Sequence, residues 1–233
     1  MPSFIQSTPP IASIGLLAVL TGVAGALGAI MPDLSAAIAS TVLRSLGEHT
    51  QTRSVRRHER VLGALACASV GIVVLTTTGL SLVAIAACLL CLPLLVAADI
   101  DRRHHLLPDL ITIPLLWVGL LLNLGAIVTP LNDAVIGAVT GYLGLRTLSW
   151  GVAAASRSEG IGHGDFKLVA ALGAWLGWQA LPAILFIAAA LAVLTGLLHA
   201  ASIRARTLPR IAFGPSLAAA GIFVLFVPSL RHW

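Results

Sequence analysis

The chain has 233 residues, of which 58% are hydrophobic and 10% charged; its mean hydropathy is +0.99 and its net charge +5. So little charge cannot cover the surface of a water-soluble domain of this length, which excludes an ordinary soluble enzyme and points to a membrane protein. In that setting the basic residues report orientation in the bilayer rather than an affinity for nucleic acid.

Apolar runs of about twenty residues, long enough to cross a hydrocarbon core, recur along the chain. The opening "MPSFIQSTPP" has no basic n-region, and the run behind it is longer than a signal-peptide core, so 11–30 reads as a retained spanning helix ended by Pro32-Asp33. The segment 34–47, "LSAAIASTVLRSLG", either lies in the interface or extends the first bundle. The most polar stretch, "EHTQTRSVRRHER" (48–60), is predicted to be a loop outside the bilayer that contains Glu48 and Glu59, with Asp33 at its near side. Spans are then predicted at 61–77, 81–99, 109–128, 134–153, 166–181, 182–200 and 211–228. "TTTG" (76–79), "TPLND" (129–133) and "WQALP" (178–182) supply turns between them. The expected fold is all-α, a polytopic membrane protein of about eight transmembrane helices. Residues 1–60 form the first helix with a short polar cytoplasmic loop, and 61–233 form one multi-span domain. The three cysteines, Cys67, Cys88 and Cys91, sit inside apolar runs. "CLLC" has the spacing of a redox or metal motif, but without neighbouring His or acidic ligands it reads as helix packing.

The basic residues alternate with the spans. Arg44, Arg53, Arg56, Arg57 and Arg60 precede the second span, Arg102 and Arg103 follow the third, Arg157 and Lys167 flank the fifth loop, and Arg204, Arg206 and Arg210 fill the seventh. Twelve of the fourteen basic residues therefore fall on one side, leaving Arg146 within a span and Arg231 near the end. By the positive-inside rule that side is cytoplasmic and both termini lie outside.

Of the nine carboxylates, Asp33, Glu48 and Glu59 belong to the first loop and Asp133 to an outer turn; the other five gather at two places on the cytoplasmic side, Asp99, Asp101 and Asp109 in "AADIDRRHHLLPD" and Glu159 and Asp165 in "SEGIGHGDFK". A carboxylate at the membrane boundary is costly to desolvate and is a functional pointer by default. Asp99 and Asp101, two residues apart on one helix, face different ways, so at most one of them meets a given partner; Asp99→Asn is expected to keep substantial activity. Asp109, directly after Pro108, reads as the cap of the fourth span. Gly162 and Gly164 flank His163 and permit close backbone approach, and Asp165 then opens a helix whose Gly173 and Gly177 form a small-xxx-small pair. Two aspartates meeting from different helices can share one proton and activate water, as in an aspartic protease. A transporter coupling ions through the same aspartates is the competing reading, but it places its carboxylates near the midplane rather than at helix ends. His104, His105 and His163 are expected to act electrostatically rather than as metal ligands. Arg146 can snorkel, pair with a carboxylate or line a cavity.

Three segments, "DRRHHLLPDLITIPLLWVGLLLN", "EGIGHGDFKLVAALGAWLGWQALP" and "IAFGPSLAAAG", resemble the hallmark segments of the bacterial type IV prepilin peptidases, which are membrane aspartic proteases of the GxGD type. The resemblance covers about 96–225 and implies an enzyme that cleaves the leader from type IV prepilins or type II secretion pseudopilins. It implies Asp101, eight residues before the Asp of "LPD", and Asp165, the Asp of G-x-G-D, as the catalytic pair. Gly162, Gly164, Asp109 and Lys167 are expected to support the active-site loops. It also implies the inner membrane of a bacterium, an active site facing the cytoplasm, and proteolysis without metal or cofactor. A presenilin-like protease would carry Tyr where Ile100 stands. The chain departs from the family in two ways. Its first loop has no cysteine, so the zinc-binding domain of many members is not expected. "ASTVLRSL" (39–46) matches the family's "GSF…N…R-P" segment only faintly, so N-methylation by S-adenosylmethionine is expected to be weak or absent. Reporter fusions at Asn132 and at Arg206 are predicted to give signals from opposite sides of the membrane; signals from the same side would overturn this orientation.

Overall fold

In lipid the backbone of an apolar run can satisfy its polar groups only within itself, so these runs become helices. The computed structural model describes residues 11–45, 57–78, 81–156, 162–203 and 212–230. They form eight α-helices: α1 (Ile11–Ser45), α2 (Arg57–Thr78), α3 (Leu82–His104), α4 (Asp109–Asn123), α5 (Leu131–Ser156), α6 (His163–Leu176), α7 (Leu181–Ile203) and α8 (Gly214–Phe226). Among the described residues there is no strand. Four segments, Leu20–Ser45, Arg57–Thr77, Leu82–His104 and Trp178–Ser202, are long and apolar enough to cross a bilayer. Their outer faces carry large bare apolar side chains, such as Phe186 (77% exposed) and Leu82 (69%), which only lipid would solvate. The chain is an all-α polytopic membrane protein. The number and order of the predicted helices hold, but α4, α6 and α8 have only 15, 14 and 13 residues. At ~1.5 Å per residue they reach roughly 20 Å, short of a hydrocarbon core of ~30 Å.

The first helix differs from expectation. Pro32 does not end it; α1 runs on to Ser45, so 34–45 is neither an interfacial segment nor a separate helix. Pro32 removes the hydrogen bond to the carbonyl of Gly28, but at that level α1 lies backbone to backbone against α2. A side chain at Gly28 would collide with Gly63 O, and one at Gly63 with Gly28 O. Such packing tolerates a proline in a membrane helix. α2 begins at Arg57, not after the polar loop, so Asp33 and Glu59 lie in helices. Arg60 donates to Asp33 across the pair at 3.1 Å. The rest of the predicted loop, 48–56, lies outside the described residues, as do residues 46 and 47, Arg157, Glu159, Arg204, Arg206 and Arg210.

α6 is the centre of the bundle. Phe166 and every residue from Leu168 to Leu176 are buried, with α4, α5 and α8 packed around them. α5 and α6 touch through Gly137 and Gly173, where a side chain on either would strike the other's carbonyl. The fully buried Trp175 donates its indole N–H to Leu115 O on α4 at 2.8 Å. Asn123 closes the far end: its Nδ2 donates to Ala174 O at 2.9 Å, and its Oδ1 accepts the Val128 and Thr129 N–H groups, each at 3.1 Å. This side chain explains why α4 stops at 123 and not 128, because the backbone beyond it turns back to bond it. Gly177, at φ +84°, ends α6 in a conformation that favours glycine. Gly173→Leu would force a side chain between two backbones, and overpacking of that kind costs ~3 kcal/mol or more. Its melting temperature in detergent is predicted to fall clearly; an unchanged value would mean that α5 and α6 are not in backbone contact.

Candidate active site

The last turn of α3 delivers Asp101. The helix ends because His105 takes a left-handed conformation (φ 51°) while its N–H still bonds Asp101 O at 2.8 Å, and Pro108 then prevents any restart before α4. Asp101 is 6% exposed. Its Oδ2 accepts the Gly214 N–H at 2.8 Å, from the first residue of α8. A side chain at 214 would place its Cβ 2.7 Å from that oxygen, so the contact requires glycine. The donor sits at a helix N-terminus, whose partial positive charge faces the carboxylate.

Asp165 lies in the first turn of α6, ahead of the predicted apolar run 166–181, and its N–H bonds Gly162 O at 3.1 Å. Gly164 is pressed against the turn between α3 and α4: a Cβ there would come within 2.6 Å of Leu107 Cβ. That close approach brings the Asp165 end of α6 beside the Asp101 end of α3. Burial, and then the charge of Asp101, push the Asp165 carboxyl up to about 7. Two carboxylates in that relation hold one proton between them more readily than none.

Lys167 and Asp109 form a partly exposed ion pair, with Nζ 2.6 Å from Oδ1 and 2.7 Å from Oδ2. This corrects the reading of Asp109 as a cap. Pro108 occupies the N-cap position of α4 without a side-chain hydrogen bond, and Asp109 lies one residue inside the helix. Its carboxylate instead ties the start of α4 to the first turns of α6. Gly162 is exposed and faces the Asp165 carboxylate, with a Cβ there falling 3.2 Å from Oδ2.

Asp99 turns away from Asp101, as two residues' separation on a helix requires. It is nevertheless buried, and it is held by Ser35, Arg102 and Arg103. Arg146 neither pairs with a carboxylate among the described residues nor lines the dyad. Its guanidinium lies 5.1 Å from the Trp150 ring and 5.8 Å from the Tyr142 ring, and it donates to Tyr142 Oη at 3.0 Å. Tyr142 in turn meets Phe166 edge-on at 6.3 Å, beside Asp165. His163 packs its ring 5.6 Å from that of Phe166. Among the described residues no three His, Cys, Asp or Glu side chains gather as a metal-ligand set. The three cysteines are unbridged in α2 and α3. Sequence reasoning did not assign the contact of Gly214 or the part played by Ser35. The glycine before Pro215 at a helix start was the only available signal for the first, and nothing local marked the second.

Residues 88–197 match the type IV leader peptidase family. A protein of Dickeya chrysanthemi named prepilin leader peptidase/N-methyltransferase is 48% identical over 151 residues, 64% of this chain and 53% of the relative. One of the same name from Burkholderia pseudomallei is 43% identical over 187 residues, 79% of this chain and 59% of the relative. One from Aeromonas salmonicida is 47% identical over 150 residues, 64% of this chain and 52% of the relative. The chain thus spans about half the length of the curated relatives it matches. No solved structure matches it. Residues 88–197, which carry Asp101, Asp109, Asp165 and Lys167, are thus the part of this chain that matches the type IV leader peptidase family.

Proposed function

We propose that the chain is a membrane aspartic endopeptidase that removes the basic leader from type IV prepilins or type II secretion pseudopilins. The observation that carries this reading is the meeting of two carboxylates from different helices at one end of the bundle, with Asp101 bonded to Gly214 N–H at 2.8 Å and its charge acting on Asp165. The match to the leader peptidase family supports the substrate class. The one-sided distribution of basic residues supports a position of this end at the cytoplasmic face of the inner membrane.

The two carboxyls divide the chemistry by environment. Asp101, with a helix-terminal N–H on one oxygen, is the ionised member and takes a proton from a water molecule. Asp165 carries the proton and donates it toward the scissile carbonyl oxygen. The water oxygen bonds the carbonyl carbon, giving a tetrahedral intermediate. Asp101 then returns its proton to the leaving nitrogen, the C–N bond breaks, and Asp165 regains the proton it gave. Lys167 and Asp109 hold the two loops in register and touch no reacting atom. The relatives are also named N-methyltransferases. For this chain, methyl transfer from S-adenosylmethionine is proposed to be weak or absent, because "ASTVLRSL" (39–46) lacks the family's pattern.

Incubating membranes that contain the protein with a prepilin, and following the loss of the leader by gel mobility, tests the proposal. Asp101→Asn and Asp165→Asn keep shape and hydrogen bonding but remove proton exchange, so each is predicted to abolish cleavage in protein that is folded and inserted. The double variant is predicted to be no worse than either single one, since the pair acts as a unit. Asp109→Asn is predicted to retain intermediate activity. A carboxyl raised to about 7 keeps its proton below that pH and loses it above, so cleavage is predicted to decline as pH rises through about 7. An active Asp165→Asn protein would end the aspartic protease reading.

A further inference from the structure

Two residues before Asp101 lies a second buried carboxylate, which the chemistry above does not use. Asp99 is 8% exposed, and it is the point where three helices are joined. Ser35 on α1, itself 1% exposed, donates its hydroxyl to Asp99 Oδ2 at 2.6 Å. Arg102 Nη2 donates to Oδ1 at 2.8 Å, and Arg103 Nε stands 3.0 Å from Oδ2. Arg103 also reaches Glu59 on α2 at 3.3 Å. Arg103 and Glu59 are both largely shielded, at 18% and 15% exposure. The carboxylate thus belongs to α3, its hydroxyl donor to α1, and the bridging arginine ends on α2.

This arrangement is a poor way to gain stability. Burying several charges carries a desolvation cost that their mutual attraction often fails to exceed, and apolar packing of the same volume commonly does as well. Arg103 Nη2, and Nε despite its ion-pair distance to Asp99, are moreover buried without a hydrogen bond among the described residues. What such a network provides is direction, because its contacts form together in only one rotation and one height of α3 relative to α1 and α2. Asp101 follows on the next face of the same turn, with the fully buried Ile100 between them. The last turn of α3 is therefore gripped from two sides, through Asp99 toward α1 and α2 and through Asp101 toward Gly214 of α8.

We propose that Asp99 is a positioning residue, whose bridge to Ser35, Arg103 and Glu59 locks the α1–α2 pair to the end of α3 and so holds Asp101 facing Asp165. The proposal rests on the peptidase reading for its kinetic consequence. It reverses the expectation that Asp99→Asn keeps substantial activity: the side chain does turn away from the dyad, but toward the anchor that orients it. Misplacement of a reacting group by about 1 Å costs on the order of a hundredfold in rate.

The test compares Asp99→Asn, Ser35→Ala and Arg60→Gln in the full chain. Arg60→Gln is the control, since it breaks the exposed Arg60–Asp33 pair between the same two helices without touching α3. Asp99→Asn is expected to lower kcat for prepilin cleavage on the order of a hundredfold with KM unchanged, and Ser35→Ala to lower it less. Arg60→Gln is expected to leave both constants alone. A second readout needs no activity. With Cys67, Cys88 and Cys91 replaced by alanine, spin labels at exposed positions 104 and 219 report the spacing between the ends of α3 and α8. A narrow distance distribution in the parent is expected to broaden in Asp99→Asn and Ser35→Ala. Should Asp99→Asn fail to fold, Ser35→Ala alone decides. Unchanged distances, or broadened distances with unchanged kcat, would overturn the proposal. If the parent protein cleaves no prepilin, the peptidase reading falls, while the spin-label distances still decide whether the lock exists.

Discussion

Everything at the Asp101 end of this bundle depends on how a carboxylate is kept at the end of an apolar helix without water around it. A buried carboxylate is tolerated only if donors replace the water it has lost. Asp101 is given one such donor, the N–H of Gly214, at the positive end of α8. That single bond fixes where α8 begins relative to α3. It also requires a residue without a side chain at 214, and it leaves the other oxygen of Asp101 available. Among the described residues no N–H of that kind reaches the Asp165 carboxylate, and burial, then the charge of Asp101, pushes it up to about 7. The two carboxyls thus differ in their surroundings: a helix-terminal N–H bonds one, while burial and the charge of its neighbour act on the other.

Holding two such groups together requires rigid neighbours, and α6 supplies the rigidity. It is short, it is buried along nearly all its length, and it touches α5 backbone to backbone at Gly173. Trp175 and Asn123 bond it to α4 through main-chain carbonyls rather than through other side chains. A helix pinned in this way cannot slide along its axis without breaking several buried hydrogen bonds, so Asp165 is held at a fixed height. Gly164 against Leu107 and Lys167 against Asp109 then set the height of the neighbouring turn.

The segment that matches the leader peptidase family, 88–197, contains both aspartates but not all of their supports. Gly214 lies beyond it, and Ser35 and Glu59 lie before it. The helices outside the matched segment therefore contribute to the site rather than only to membrane insertion. α8 supplies the donor to Asp101, and α1 and α2 supply the partners of Asp99.

The sequence alone determined the membrane class and the number and order of the helices, and its motifs singled out two aspartates for the proposed chemistry. All of these are local properties: apolar runs of spanning length, glycines and prolines at turns, and motif residues a few positions apart. The orientation read from the basic residues rests on the same kind of local pattern. Tertiary structure decided the rest, because the deciding contacts join residues 58, 64 and 113 positions apart. No local pattern shows that Asp109 pairs with Lys167 rather than capping α4, that Ser35 reaches Asp99, or that Gly214 serves Asp101. The same is true of Pro32, which reads as a stop in sequence but lies within α1 because α2 packs against the backbone it would otherwise expose. Periodicity and turn chemistry decide where a helix can form. Which of its buried polar groups find partners, and so which way its last turn faces, is decided only when the other helices are in place.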